Sequence, residues 1–221
     1  MIRKLLLLGA TAAVAATPAL SQEVEFSGNV TLTTDYHWRG LTQSNQDFAV
    51  QGGFDLAAGG FYAGTWASTI DFEDGSDSNV EWDIYGGYAG ALGNGLGYDV
   101  GVIGYIYPDS DDEDLDFVEL YGGLSYDSEA GFGVSSTLYV DPDNETVYIE
   151  GGAGFSFTDA LSADIGLGTW LDGGDDLYEE EFNYNIGATY SVAGFDFDLR
   201  YYDIDIDGAD DNVVFSVGRA M

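Results

Sequence analysis

The chain has 221 residues, 45% of them hydrophobic and 15% aromatic, with 32 glycines, 3 prolines and no cysteine. Its 40 acidic residues stand against 5 basic ones, for a net charge of −35. That balance excludes nucleic acid as a partner, which needs a basic surface. The hydrophobic share excludes a disordered chain.

Taken in order, the chain begins with Arg3 and Lys4, an apolar run from Leu5 to Ala16, and small residues before Ser21. A basic start, a short apolar stretch and a small-residue cut predict a secretory signal peptide over 1–21. Its removal takes two basic residues and moves the net charge to −37, leaving Arg39, Arg200 and Arg219 as the cations. Residues 22–221 then form one predicted domain.

Period-2 alternation runs through that domain. In the first predicted strand Val24, Phe26, Val30, Leu32, Tyr36 and Trp38 share one face, opposite Glu25, Ser27, Thr31, Asp35, His37 and Arg39. Strands are predicted at 24–38, 48–56, 61–70, 80–89, 95–107, 116–126, 132–140, 147–157, 160–170, 181–192, 195–203 and 211–219. The phase of 61–70 is ambiguous, and a bulge is predicted near Val102-Ile103. Tight turns at Ala57–Gly60, Gly90–Asn94, Asp127–Gly131, Thr158-Asp159 and Ala193-Gly194 alternate with longer acidic loops. These loops are Gly40–Asp47, Asp71–Asn79, Pro108–Leu115, Asp141–Thr146, Asp172–Glu180 and Ile204–Asp210.

No stretch after residue 21 has the roughly 18 to 20 continuous apolar residues of a spanning helix, so a membrane could be crossed only by a closed barrel. Short turns on one side, long loops on the other and an even strand number are the layout of an outer-membrane barrel. The fold class expected is all-β: a transmembrane antiparallel up-and-down β-barrel of about 12 strands. A soluble sandwich or lipocalin-like barrel also alternates but keeps its apolar face inside. Here glycine and serine share a face with the acids, which favours a lipid-facing apolar exterior.

Ser27-Gly28-Asn29-Val30-Thr31-Leu32-Thr33-Thr34-Asp35-Tyr36-His37-Trp38-Arg39-Gly40-Leu41-Thr42-Gln43 resembles the opening of the TorF-type porin family of proteobacteria, as do Phe61–Trp66 and Glu81–Tyr88. The specific motif is the first strand and loop. The resemblance implies an outer-membrane barrel and no particular solute. Barrels of this kind commonly end in an aromatic residue that the barrel-assembly machinery reads. Here the end is Met221, and Arg219 interrupts the alternation, placed to snorkel toward head groups.

In this register the inward face carries Glu25, Asp35, Asp55, Glu81, Asp83, Asp99, Glu119, Glu150, Asp164, Glu181, Asp196 and Asp198, against Arg39 and Arg200. The candidate pore-lining set is Asp35, Arg39, Glu81, Asp83, Glu119, Glu150, Asp164, Glu181, Asp196, Asp198 and Arg200. Carboxylate rings in a pore favour cations; hydration of a wide lumen, or salt adaptation, would produce the same acidity. Asp35 and Arg39 lie roughly 13 Å apart along a strand, too far to pair, so Arg39 is expected to meet an acid of a neighbouring strand and to anchor a loop or fix lumen shape. Tyr85, Tyr121, Tyr139, Tyr148 and Trp170 point inward.

Asp203-Ile204-Asp205-Ile206-Asp207-Gly208 begins like a calcium loop, but Val214 stands where a bidentate Glu is needed. The acidic loops at 109–116 and 172–181 read as solvated faces, with weak divalent-cation binding the alternative. Catalysis has little to work with: one histidine, His37, no cysteine and no G-x-S-x-G elbow. No cofactor is implied. The expected function is passive diffusion of small cationic or neutral solutes, with outer-membrane lipid and the assembly machinery as partners. The alternatives are a non-conducting structural or surface-interaction barrel and, more weakly, an outer-membrane hydrolase.

Overall fold

The computed structural model describes residues 24–72, 78–108, 110, 115–174, 181–206 and 211–221. The predicted signal peptide lies outside them, as does most of the loops Asp71–Asn79, Pro108–Leu115, Asp172–Glu180 and Ile204–Asp210. Among the described residues every regular element is a strand. In chain order these are β1 (Glu25–Thr33), β2 (His37–Trp38), β3 (Leu41–Thr42), β4 (Ala49–Ala58), β5 (Phe61–Thr69), β6 (Val80–Gly93) and β7 (Leu96–Ile106). There follow β8 (Phe117–Asp127), β9 (Phe132–Asp141), β10 (Thr146–Ser156), β11 (Leu161–Gly173), β12 (Phe182–Val192), β13 (Phe195–Ile204) and β14 (Asn212–Ala220).

All but β2 and β3 join into one closed antiparallel barrel in which each wall strand pairs with the next and β1 closes on β14. The wall has the predicted 12 strands. Closure pairs every wall strand on both sides, so no edge is exposed.

The pleat sorts the side chains. On β1, Val30 and Leu32 are exposed while Asn29 and Thr31, on the other face, are half-buried and Thr33 is buried. On β13, Phe195, Phe197 and Leu199 are exposed while Asp198 and Arg200 are buried. Large apolar side chains such as Phe26 (67% exposed), Phe54 and Leu124 stud the outside, and polar and aromatic side chains fill the inside. Exposure on that scale is stable against lipid, not water. The phase of β5 resolves with Tyr62 and Ser68 inside and Phe61 outside. Arg219 faces outward beside Val30, its guanidinium 5.2 Å from the Phe195 ring.

The tight turns explain the wall's register. Gly59-Gly60, Asn94-Gly95 (where Gly93 before them is also at positive φ) and Ala193-Gly194 put successive residues at positive φ, between strand ends that pair directly or across one bulge. That is the twist a two-residue hairpin requires. The β6–β7 turn therefore sits at Asn94-Gly95, not over Gly90–Asn94. β6 runs on to Gly93, and the register shift falls between Ala91 and Gly93 instead of near Val102-Ile103, where the pairing is regular.

Because all 12 wall strands are hydrogen-bonded around the ring, detergent should not unpick the barrel at room temperature. Unboiled protein should migrate differently from boiled protein in a detergent gel; identical migration together with solubility in plain buffer would contradict a membrane barrel.

Candidate functional site

The largest departure from the sequence reading is the first strand. The wall strand β1 ends at Thr33, where 24–38 was expected as one run. The chain then turns off the wall at Asp35, enters the barrel as the hairpin β2–β3, and rejoins the wall at Ala49. Tyr36 and Trp38, read as outward-facing, are therefore inside: Tyr36 is buried, and Trp38 packs among the interior rings. Gly40–Asp47, read as an outer loop, is the second arm of this hairpin and the chain's return to the wall.

The base of the hairpin is fixed by Asp35. Its carboxylate accepts hydrogen bonds from Thr42 (2.6 Å), Ser44 (2.9 Å), Asn212 of β14 (2.6 Å) and the His37 ring (2.8 Å). Burial works against the ionised carboxyl, but the hydrogen bonds and charge supplied by His37, with those of Thr42 and Ser44, hold Asp35 below the usual carboxylate range. His37 stacks on Tyr202 at 4.2 Å, and its Nδ1 lies 3.2 Å from the Gly40 carbonyl. The tip turn is Arg39-Gly40, at φ 51° and 90°. Gly40 has no room for a side chain, since a Cβ there would lie 2.7 Å from Cβ of Asn183.

From this tip Arg39 reaches across the lumen. Its Nη2 donates to both Glu119 oxygens at 2.7 Å, and its Cζ lies 4.2 to 5.0 Å from the ring centroids of Trp38, Tyr139, Tyr148 and Trp170. Arg39 was expected to pair with an acid of a strand next to the first. Its partner is instead on β8, which touches neither β1 nor its neighbours β4 and β14. The pair forms because the hairpin, not the wall, carries the arginine. Tyr148 gains its place because β11 presents Gly168 there: a Cβ would collide with the Tyr148 hydroxyl.

Glu81, Asp83 and Glu119 come together, each 1% exposed, with β7 lying between the strands that carry them. Glu81 accepts from Tyr36 (2.7 Å) and Tyr107 (3.1 Å), and Glu119 also accepts from Tyr105 (3.2 Å). Asp83 Oδ1 is buried without a hydrogen-bond partner. Glu150 accepts from Tyr139 at 3.1 Å.

Arg200 forms a second, separate knot. It forks onto Asp164 at 2.7 and 2.9 Å, reaches both Asp198 oxygens at 3.3 Å, and lies over Gly187, where a Cβ would approach within 2.6 Å of it. Asp55 accepts from Tyr85 and Asp99 from Tyr62. Asp196 accepts from Ser191, Glu181 is half-buried just before β12, and Glu25 is exposed near the start of β1. Tyr85, Tyr121, Tyr139, Tyr148 and Trp170 all belong to, or pack against, the interior clusters. Among the described residues no group of acids or His37 is spaced to hold a metal ion; Asp207 and Gly208 of the calcium-like run lie outside them.

An apolar exterior, a closed wall and a polar interior entered by the β2–β3 hairpin define a porin-like transmembrane β-barrel. The chain belongs to the family described as bacterial protein of unknown function (Gcw_chp), whose model matches residues 15–219. No curated protein sequence matches it. Among solved structures the fold is similar to the KdgM porin, with a TM-score of 0.61, 9% identity, and 88% of this chain and 97% of that one covered. It is also similar to the NanC porin, with a TM-score of 0.57, 9% identity, and 89% and 98% covered. A second structure of the KdgM porin, in complex with disordered oligogalacturonate, is similar with a TM-score of 0.60, 8% identity, and 88% and 96% covered.

Proposed function

We propose that this protein is a channel of the bacterial outer membrane through which small cationic or neutral solutes diffuse passively, with the β2–β3 hairpin as its constriction. The reading rests on one observation: interior carboxylates outnumber interior arginines, and both arginines are already spent on Glu119, Asp164 and Asp198. The remaining acids give the lumen a negative potential, focused by low-dielectric walls. Galacturonate chains are polyanions, so such a lumen disfavours the ligand named for the KdgM complex. The TorF-type resemblance of the first strand agrees with this assignment. In the same reading residues 1–21 are the export signal, the assembly machinery inserts the barrel, and lipid covers the exterior.

The test is the reversal potential across a tenfold KCl gradient. K⁺ should be preferred over Cl⁻, and less so as salt rises, because the screening length falls from about 10 Å at 0.1 M to about 3 Å at 1 M. Asp55→Asn with Asp196→Asn should lower the preference, because these inner-face carboxylates are only half-buried. Glu81, Asp83 and Glu119 are left intact in this variant because each is 1% exposed and Glu119 holds Arg39. An anion-selective value would overturn the reading. The hairpin's position favours a second reading, a non-conducting structural barrel; absence of current from folded wild-type protein and from a hairpin-released variant alike would establish it.

A further inference from the structure

The guanidinium of Arg39 sits in a pocket that is mostly not its own. Tyr139, Tyr148 and Trp170 come from three successive wall strands, β9, β10 and β11, and Glu119 from β8 beside them. Glu150 on β10 adds a second carboxylate, tied to Tyr139. Three rings and a carboxylate around one cation form an aromatic cage, which attracts cations through ring quadrupoles and is strongest when water is excluded. Only Trp38 travels with the arginine.

Arg39 is also an imperfect occupant. Only its Nη2 meets Glu119, approaching both oxygens, while Nη1 is buried with no hydrogen-bond partner. The tether explains this, because the left-handed turn at Arg39-Gly40 fixes the angle of approach. An untethered guanidinium could rotate to present two parallel N–H groups to the carboxylate, the fork geometry that this pair of groups prefers.

We infer that the wall patch of Glu119, Tyr139, Tyr148 and Trp170 is a binding subsite for guanidinium-bearing solutes, which Arg39 occupies as a built-in stand-in until a solute displaces it. The inference rests on the cation-channel reading for its role in passage, but the site can be tested without any current.

The experiment is equilibrium titration of the detergent-folded barrel with methylguanidinium and with methylammonium at millimolar concentrations, read by tryptophan fluorescence. In Arg39→Ala, methylguanidinium should bind saturably and about tenfold tighter than methylammonium, because only the planar ion can make the two-pronged contact. Wild type should bind more weakly, since its site is filled. Adding Glu119→Gln to Arg39→Ala should weaken binding by about tenfold or more. Equal titration of wild type and Arg39→Ala, or indifference to Glu119→Gln, overturns the proposal. If Arg39→Ala does not give a heat-shifting barrel, Arg39→Met keeps the packed stem and carries the same comparison. If neither variant folds, recovery of the heat shift by methylguanidinium supports the site and its failure overturns it. Binding without any ion current would leave the subsite standing and remove the channel; cation-selective current without binding would do the reverse.

Discussion

Replacing Arg39 by alanine should open the barrel without unfolding it, raising single-channel conductance several-fold over wild type. Glu119 is 1% exposed, and its principal partner is Arg39. Removing one member of a buried ion pair strands the other charge, at a cost of about 3–5 kcal/mol. That cost falls on the docked state of the hairpin, because only docking keeps Glu119 dry. At about 1.4 kcal/mol per decade, the undocked fraction should rise roughly a hundredfold or more. The wall strands pair with one another and not with β2 or β3, so the heat shift should persist. Arg39→Ala with Glu119→Gln should lie closer to wild type than Arg39→Ala alone, since no buried charge is then left unpaired. A folded Arg39→Ala barrel with unchanged conductance would show that the hairpin does not control the path.

Asp35→Ala should release the same hairpin from its other end. Asp35 ties Thr42, Ser44 and His37 to Asn212 of the wall, and its loss leaves those groups without their charged acceptor. Hydrogen bonds to a charged group contribute about 1.5–3 kcal/mol each, but these share one carboxylate and do not add; a total of about 2–4 kcal/mol on docking is expected. The wild type should show the same release at low pH. Because the folded carboxyl titrates below its ordinary value of 3.8, its contribution is fully present above that value and is lost as pH falls through the lower folded one. Conductance of wild type should therefore rise on acidification below about pH 4, while Asp35→Ala should already be high at neutral pH and lack that step. A wild type whose conductance is flat across this range, beside an Asp35→Ala that still responds, would contradict the assignment.

Much of the wall was legible because a strand in a two-sided environment writes its environment every second residue. Phe195, Phe197 and Leu199 against Asp196, Asp198 and Arg200 need no tertiary information to be sorted. Turns such as Asn94-Gly95 carry their own chemistry, although the sequence reading placed that one a few residues early. The β2–β3 hairpin was not legible for two reasons. The residues from Val24 to Trp38 keep the alternation of a single strand while the chain leaves the wall at Asp35. The tip also uses Arg39 at the first left-handed position, where asparagine, aspartate or glycine is the usual sign of such a turn.

By itself, then, the sequence determined the class of fold, the strand count, the acidic interior and the faces of the wall, all of which follow from local periodicity and composition. Only the tertiary structure decided which charges meet. Arg39 and Glu119 are separated by 80 positions and lie on elements that share no hydrogen-bonded edge. Their pairing depends on a loop folding inward through a closed ring, a long-range event with no repeating pattern along the chain to announce it.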